Sequence, residues 1–199
     1  ISHGNSCSLN CPEEIELAEL LCEVHPWAEK VRYARTGGES MAIAVRIARA
    51  VTDKDKIVFC GYHGWHDWYL AANLSSESSL EGHLLPGLSP RGVPKCLEGT
   101  SIPFEYNNIE QLRNIFEKNT GEIAAVVMEP MRNIEPTPGF LEEVREVTKK
   151  AGAVLVFDEI SSGFRLNTGG LHLIHNVIPD IAVFAKALSN GFPMAAIIG

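Results

Sequence analysis

Long apolar runs are missing from this 199-residue chain, as are internal repeats, low-complexity tracts and a leader-like start. None of its apolar stretches reaches the roughly 20 residues that a membrane-crossing helix needs, and nothing at the start has the pattern of a signal peptide. Positive charge is scarce. Lys and Arg total 17 against 25 Asp and Glu, a net charge of −8, which argues against a nucleic acid or an anionic membrane as partner. Cysteine is sparse and irregular: Cys7, Cys11, Cys22, Cys60 and Cys96 are odd in number and lack framework spacing. They read as reduced thiols of a cytoplasmic protein. Cys7 and Cys11 stand close together, but no second ligand pair follows, so no metal is expected there. What remains, 45% hydrophobic and 21% charged, fits a soluble globular domain with a sizeable core.

What is present is an alternation of short apolar runs and amphipathic stretches. Residues 1–10 are small and polar and read as a loop. Pro12, Glu13 and Glu14 open a helix, proline at the first position and acids at the positive dipole end; Pro26 closes it. Residues 31–35, 56–60, 123–128, 153–157 and 181–187 read as strands, and 41–51, 109–118 and 140–150 as helices, with Gly152 ending the last. Strands separated by helices predict an α/β fold around a parallel sheet with right-handed crossovers. Residues 73–108, rich in Ser, Gly and Pro, read as a long surface excursion.

An open α/β sheet carries its chemistry at the carboxyl ends of its strands. Asp158 and Glu159 follow one apolar run, and Lys186 lies inside another, in the segment FAKAL. A buried ammonium is costly, so burial favours the neutral amine that attacks a carbonyl. The alternative is a lysine at the strand edge with its head in water. The turn Thr36, Gly37, Gly38, Glu39, Ser40 between a strand and a helix is an anion site in principle, or a tight turn with no ligand. The loop Tyr62, His63, Gly64, Trp65, His66, Asp67, Trp68 offers a stacking platform for a flat ring. His63, His66 and Asp67 also make a metal set by type, though without the helical spacing that aligns two imidazoles. Glu129, before Pro130, ends a further strand and either faces the site or caps nearby backbone.

The run VLVFDEISSGFR, with FAKAL beyond it, resembles the fold-type-I, pyridoxal-phosphate-dependent enzymes of aminotransferase class III. Within that class it is most similar to the glutamate-1-semialdehyde 2,1-aminomutase branch, where arginine directly follows the GF pair, as at Gly163, Phe164 and Arg165. The resemblance implies a three-layer large domain, a mostly parallel sheet with helices on both faces. It also implies that residues 1–199 are the central cofactor-binding domain of a longer enzyme, without its N-terminal segment and C-terminal small domain. A start at Ile1 and an end straight after the apolar run AAII agree. The implied cofactor is pyridoxal 5'-phosphate, with Lys186 as the Schiff-base lysine and Asp158 on the pyridine nitrogen. Ile160 is expected on one ring face and Tyr62 and His63 on the other. Gly37 and Gly38 are expected at the phosphate, and Glu129 near the cofactor. Gly38 departs from the family's hydroxyl residue at that place. The implied activity is amino-group transfer between small-molecule donors and acceptors by a homodimer, as aminotransferase or aminomutase. Two other readings stand beside it: an inactive or regulatory homologue on the same fold, and a metal-dependent hydrolase using His63, His66 and Asp158.

Overall fold

Short runs of Val, Ile, Ala and Phe build the sheet because their side chains are buried on both faces. The structure, a computed structural model, describes residues 11–76, 78–83 and 87–199. The expected loop at 1–10, with Cys7, lies outside the described residues. Seven strands, β1 (Val31–Ala34), β2 (Lys56–Cys60), β3 (Ser101–Pro103), β4 (Ile123–Met128), β5 (Val154–Asp158), β6 (Ile181–Phe184) and β7 (Ala195–Ile198), form one sheet in the order β1-β7-β6-β5-β4-β2-β3. Strands β3, β2, β4, β5 and β6 run parallel, and β7 is antiparallel to both its neighbours. The helices are α1 (Pro12–Val24), α2 (Gly37–Thr52), α3 (Asp67–Leu70), α4 (Ala72–Ser75), α5 (Ile109–Lys118), α6 (Phe140–Lys150) and α7 (Leu171–His175).

Alternate strand residues face opposite layers. Val156, Val183 and Ile197 pack with Met41, Ala44, Val45 and Ala48 of α2. Their neighbours Leu155 and Phe157 pack with Leu112 of α5 and Phe140, Leu141 and Val144 of α6. Ala182, Phe184, Ala196 and Ile198 pack with Leu21 of α1. The result is the expected three-layer α/β architecture. Each fully buried Leu, Val or Phe contributes about 1.5–3 kcal/mol relative to exposure.

Four details differ from expectation, each for a local reason. Helix α2 begins at Gly37, not near residue 41, because Thr36 caps it: the Glu39 amide donates to Thr36 Oγ1 at 3.2 Å, and the Arg35 amide to the Glu39 carboxylate at 2.9 Å. This capping pair outweighs the poor helix propensity of two glycines. Strand β6 stops at Phe184, so Lys186 lies beyond it. Strand β3 lies within the 73–108 excursion and pairs with β2. The direction of β7 follows from the connection at 185–194, which is too short for a parallel crossover.

A buried polar network ties α1 to the turn after β5. Glu159 is fully buried, and its carboxylate accepts from the His172 amide at 2.9 Å, from His172 Nδ1–H at 2.9 Å and from the Ser162 hydroxyl. Trp27 Nε1–H donates to His172 Nε2 at 3.2 Å, which fixes His172 as the neutral Nδ1–H tautomer. His25, also buried, stacks on His172 at 5.4 Å and donates from Nδ1 to the Leu21 carbonyl at 2.9 Å. Burial alone raises the Glu159 pKa, but the hydrogen bonds from His172 and Ser162 hold it below its ordinary value of 4.5. Burial lowers the His25 pKa from its ordinary 6.5, against the opposing Leu21 bond, and the neighbouring His172 lowers it further.

Both shifts give the same sign. The unfolded chain binds protons that the folded chain refuses, so stability falls as the medium is acidified. Loss therefore sets in below pH 6.5 through His25 and deepens below pH 4.5 through Glu159. Urea unfolding across this range is expected to show a falling midpoint. Glu159→Gln is expected to cost about 3 kcal/mol at neutral pH and to flatten the lower limb.

Candidate active site

The parallel strands end on one edge, and that edge carries the reactive side chains. Asp158 closes β5 and is 3% exposed. Its Oδ1 accepts from the Ile160 amide at 3.0 Å, and its Oδ2 lies 2.7 Å from His63 Nδ1. The other ring nitrogen of His63, Nε2, donates to the Cys60 carbonyl at 2.9 Å. A carbonyl can only accept, so His63 Nε2 carries a proton and a further proton is shared between Nδ1 and Asp158. His63 is 2% exposed, with its ring packed against Phe59, Trp68 and Tyr69.

Both nitrogens of His63 are engaged, so it stands behind Asp158 as a support while also lining the same cleft as Asp158 and Lys186. No nitrogen is left for an ion with His66 and Asp158. Among the described residues no group of three His, Cys, Asp or Glu side chains is placed to hold a metal.

Beyond β4, Glu129 is 6% exposed and pairs with Arg132, whose Nη1–H donates to Oε2 at 3.1 Å. Desolvation raises the Glu129 pKa and nearby Asp158 adds to this, with His63, Arg132 and Lys186 opposing. At the end of β2, burial pushes the Cys60 thiol up to about 12, which keeps it from acting as a nucleophile.

Of the two readings for Lys186, its exposure agrees with the lysine at the strand edge: the chain leaves β6 and turns at Lys186 with φ 49°. Its ammonium donates to Ser161 Oγ at 2.7 Å.

One cavity of about 600 Å³ gathers these groups: Gly37 and Gly38, Tyr62 and His63, Glu129, Asp158, Ile160 and Lys186 all line it. That volume suits a small organic ligand. Lys186 and Asp158 therefore share one cleft beyond the strand ends. A second cavity of about 630 Å³ adjoins it, with Tyr62, Glu129 and Arg132 on the shared wall.

At the start of α2 the glycines leave little spare room for a side chain. A Cβ on Gly37 would lie 2.7 Å from Ile160 Cδ1, and one on Gly38 would lie 3.1 Å from the His66 ring. Gly37 and Gly38 line the cleft in the first turn of a helix, a place whose backbone amides suit an anion. The turn from Asp158 to Gly163 is equally constrained. A Cβ on Gly163 would meet Phe184 Cδ1 at 2.4 Å and the Glu159 carbonyl at 2.8 Å. Gly163→Ala is expected to cost about 3 kcal/mol by overpacking, read as a lower urea midpoint.

Arg132 and Ser161 were not anticipated from the sequence. Arg132 follows Glu129 at i+3 across Pro130, a spacing that signals a pair. Ser161 had no signal apart from its place in the Asp158 turn.

An acid-bearing strand end, a glycine-bearing helix start and a lysine thus line one cleft of an α/β domain. Comparison with known proteins gives the family. The whole chain, residues 1–199, matches the model of aminotransferase class-III, and the chain belongs to that family. It is 40% identical over 199 residues to a glutamate-1-semialdehyde 2,1-aminomutase of Syntrophomonas wolfei subsp. wolfei, covering 97% of this chain and 45% of the relative. It superposes on an omega-transaminase from Sphaerobacter thermophilus with a TM-score of 0.85 and 31% identity, covering all of this chain and 47% of the other. A transaminase solved with PLP bound gives a TM-score of 0.85 at 27% identity, covering all of this chain and 46% of the other. The chain spans about half the length of the relatives it matches.

Proposed function

We propose that this chain binds pyridoxal 5'-phosphate and serves the transfer of an amino group, as an aminotransferase or as an aminomutase that returns the amine to the same skeleton. The observation that carries this reading is the single cleft shared by Lys186, Asp158 and the opened N-terminus of α2. The family and the PLP-bound relative support it.

The residues present fit the cofactor. The amides at Gly37 and Gly38 would take the phosphate, aided by the helix dipole. Asp158, backed by His63, would hold the protonated ring nitrogen through a short ion pair in a poorly solvated place. Ile160 would pack on one ring face and Tyr62 on the other. Glu129 would sit beside the ring with Arg132. When bound, the cofactor supplies an electron sink for the bond being broken at the substrate carbon. The protein contributes the rest. Lys186 would hold the aldehyde end, then receive and return the proton at the substrate carbon. A homodimer in the cytoplasm is the proposed working form. Trp65 and Phe192, both 71% exposed, are apolar surface that a second copy would cover.

An amine-donor screen tests the reading. With protein loaded with pyridoxal phosphate, a productive donor is expected to bleach the visible band, and an oxo-acid acceptor to restore it. A loaded protein that gives no spectral change with any amino acid or amine contradicts the proposal.

A further inference from the structure

Two adjacent serines follow Ile160, and they point to different tasks. Ser162 turns inward and donates to the buried Glu159 carboxylate. Ser161 instead meets the amine of Lys186, at 2.7 Å. Lys186 has no salt bridge among the described residues. The strand-end acid that lines the same cleft, Asp158, is engaged by His63 and by the Ile160 amide. An exposed lysine on a flexible four-carbon stem samples many rotamers, so a single fixed partner in the cleft is a positioning contact.

The turn that carries Ser161 is rigid. It is closed by the Gly163 amide donating to the Glu159 carbonyl at 2.7 Å and packed so tightly on Phe184 that Gly163 admits no Cβ. The same turn carries the Asp158 carboxylate. One rigid piece of backbone therefore sets the spacing between the acid and the amine.

We propose that Ser161 is a positioning residue for Lys186. Its hydroxyl accepts from the ammonium and can donate to the neutral amine, so it follows the lysine through both protonation states. A carboxylate at this position would favour the charged form and oppose attack on a carbonyl. Ser161 holds the amine in the cleft before the aldehyde arrives and again whenever the amine is released. This inference rests on the proposed cofactor reading. In the capture step the neutral Lys186 amine forms a carbon–nitrogen double bond to the aldehyde carbon as the carbon–oxygen bond breaks, and both amine protons end on that oxygen, which leaves as water.

The test is the rate at which cofactor-free protein captures pyridoxal phosphate, followed across pH and fixed by borohydride. Ser161→Ala is expected to slow capture about tenfold, the worth of one hydrogen bond to a charged group, and to displace the pH profile of the rate. Ser161→Thr, which keeps the hydroxyl, is expected to restore both to within about twofold of wild type. Ser162→Ala is expected to lower the urea midpoint through Glu159 and leave the capture rate of folded protein unchanged. Wild-type rate and profile in Ser161→Ala overturn the inference while leaving the cofactor reading standing, as does failure of Ser161→Thr to rescue. Absence of borohydride-fixed label on wild-type protein overturns the cofactor reading itself.

Discussion

Lys186→Ala is expected to abolish covalent capture of pyridoxal phosphate and to lower any amino-transfer turnover by more than about 10³-fold. The fold is expected to survive, because Lys186 is exposed and lies outside the strands. Its urea midpoint should shift by no more than about 0.5 kcal/mol equivalent, the usual range for a surface site. The amides at Gly37 and Gly38 do not depend on the lysine, so non-covalent binding of the phosphate should persist. A variant that still turns over removes Lys186 from the chemistry.

The second large effect is at Asp158. Asp158→Asn keeps an oxygen to accept from the Ile160 amide but removes the charge opposite the ring nitrogen. Cofactor binding is expected to be retained, and turnover to fall by about 10²–10³, the scale for losing one preorganised electrostatic partner. Because His63 is enclosed and paired only with Asp158 and Cys60, the variant also strands its imidazole against a neutral amide. A stability loss of about 1–3 kcal/mol is expected with the rate loss. An unchanged rate reduces Asp158 to a structural anchor for the β5 turn and for His63.

The layers were legible in the sequence because buried parallel strands write themselves as uninterrupted apolar runs. The segments IAAVVM and VLVF became β4 and most of β5 for that reason. Strand β3 was not legible: three residues ending on proline, at the sheet edge beside β2, lack any pattern length. The start of α2 was misplaced because residues 36–40 were read as a turn and the Thr36–Glu39 cap was not considered.

At the candidate site, residue types could be read but orientations could not. Asp158, Gly37, Gly38, Tyr62, Glu129, Ile160 and Lys186 do line one cleft. His63 lines it too, but that its two nitrogens reach Cys60 and Asp158, the latter across 95 positions, is announced by no local pattern. For Lys186 the apolar sequence neighbours left a buried and an exposed reading open. Phe184 and Ala185 before it are buried, while Lys186 itself takes a left-handed turn and is exposed on the cleft. The hydroxyl of Ser161 beside its amine is likewise a product of the turn, invisible in the spacing.

The most direct test is the site of covalent attachment. The protein is incubated with pyridoxal phosphate, reduced with borohydride, digested, and mapped by mass spectrometry. The cofactor is expected on Lys186, and Asp158→Asn is expected to leave that position labelled. Label spread over the surface lysines at 30, 54, 95, 118, 149 and 150, with Lys186 no more reactive than the rest, would contradict a site built around one amine facing a strand-end acid.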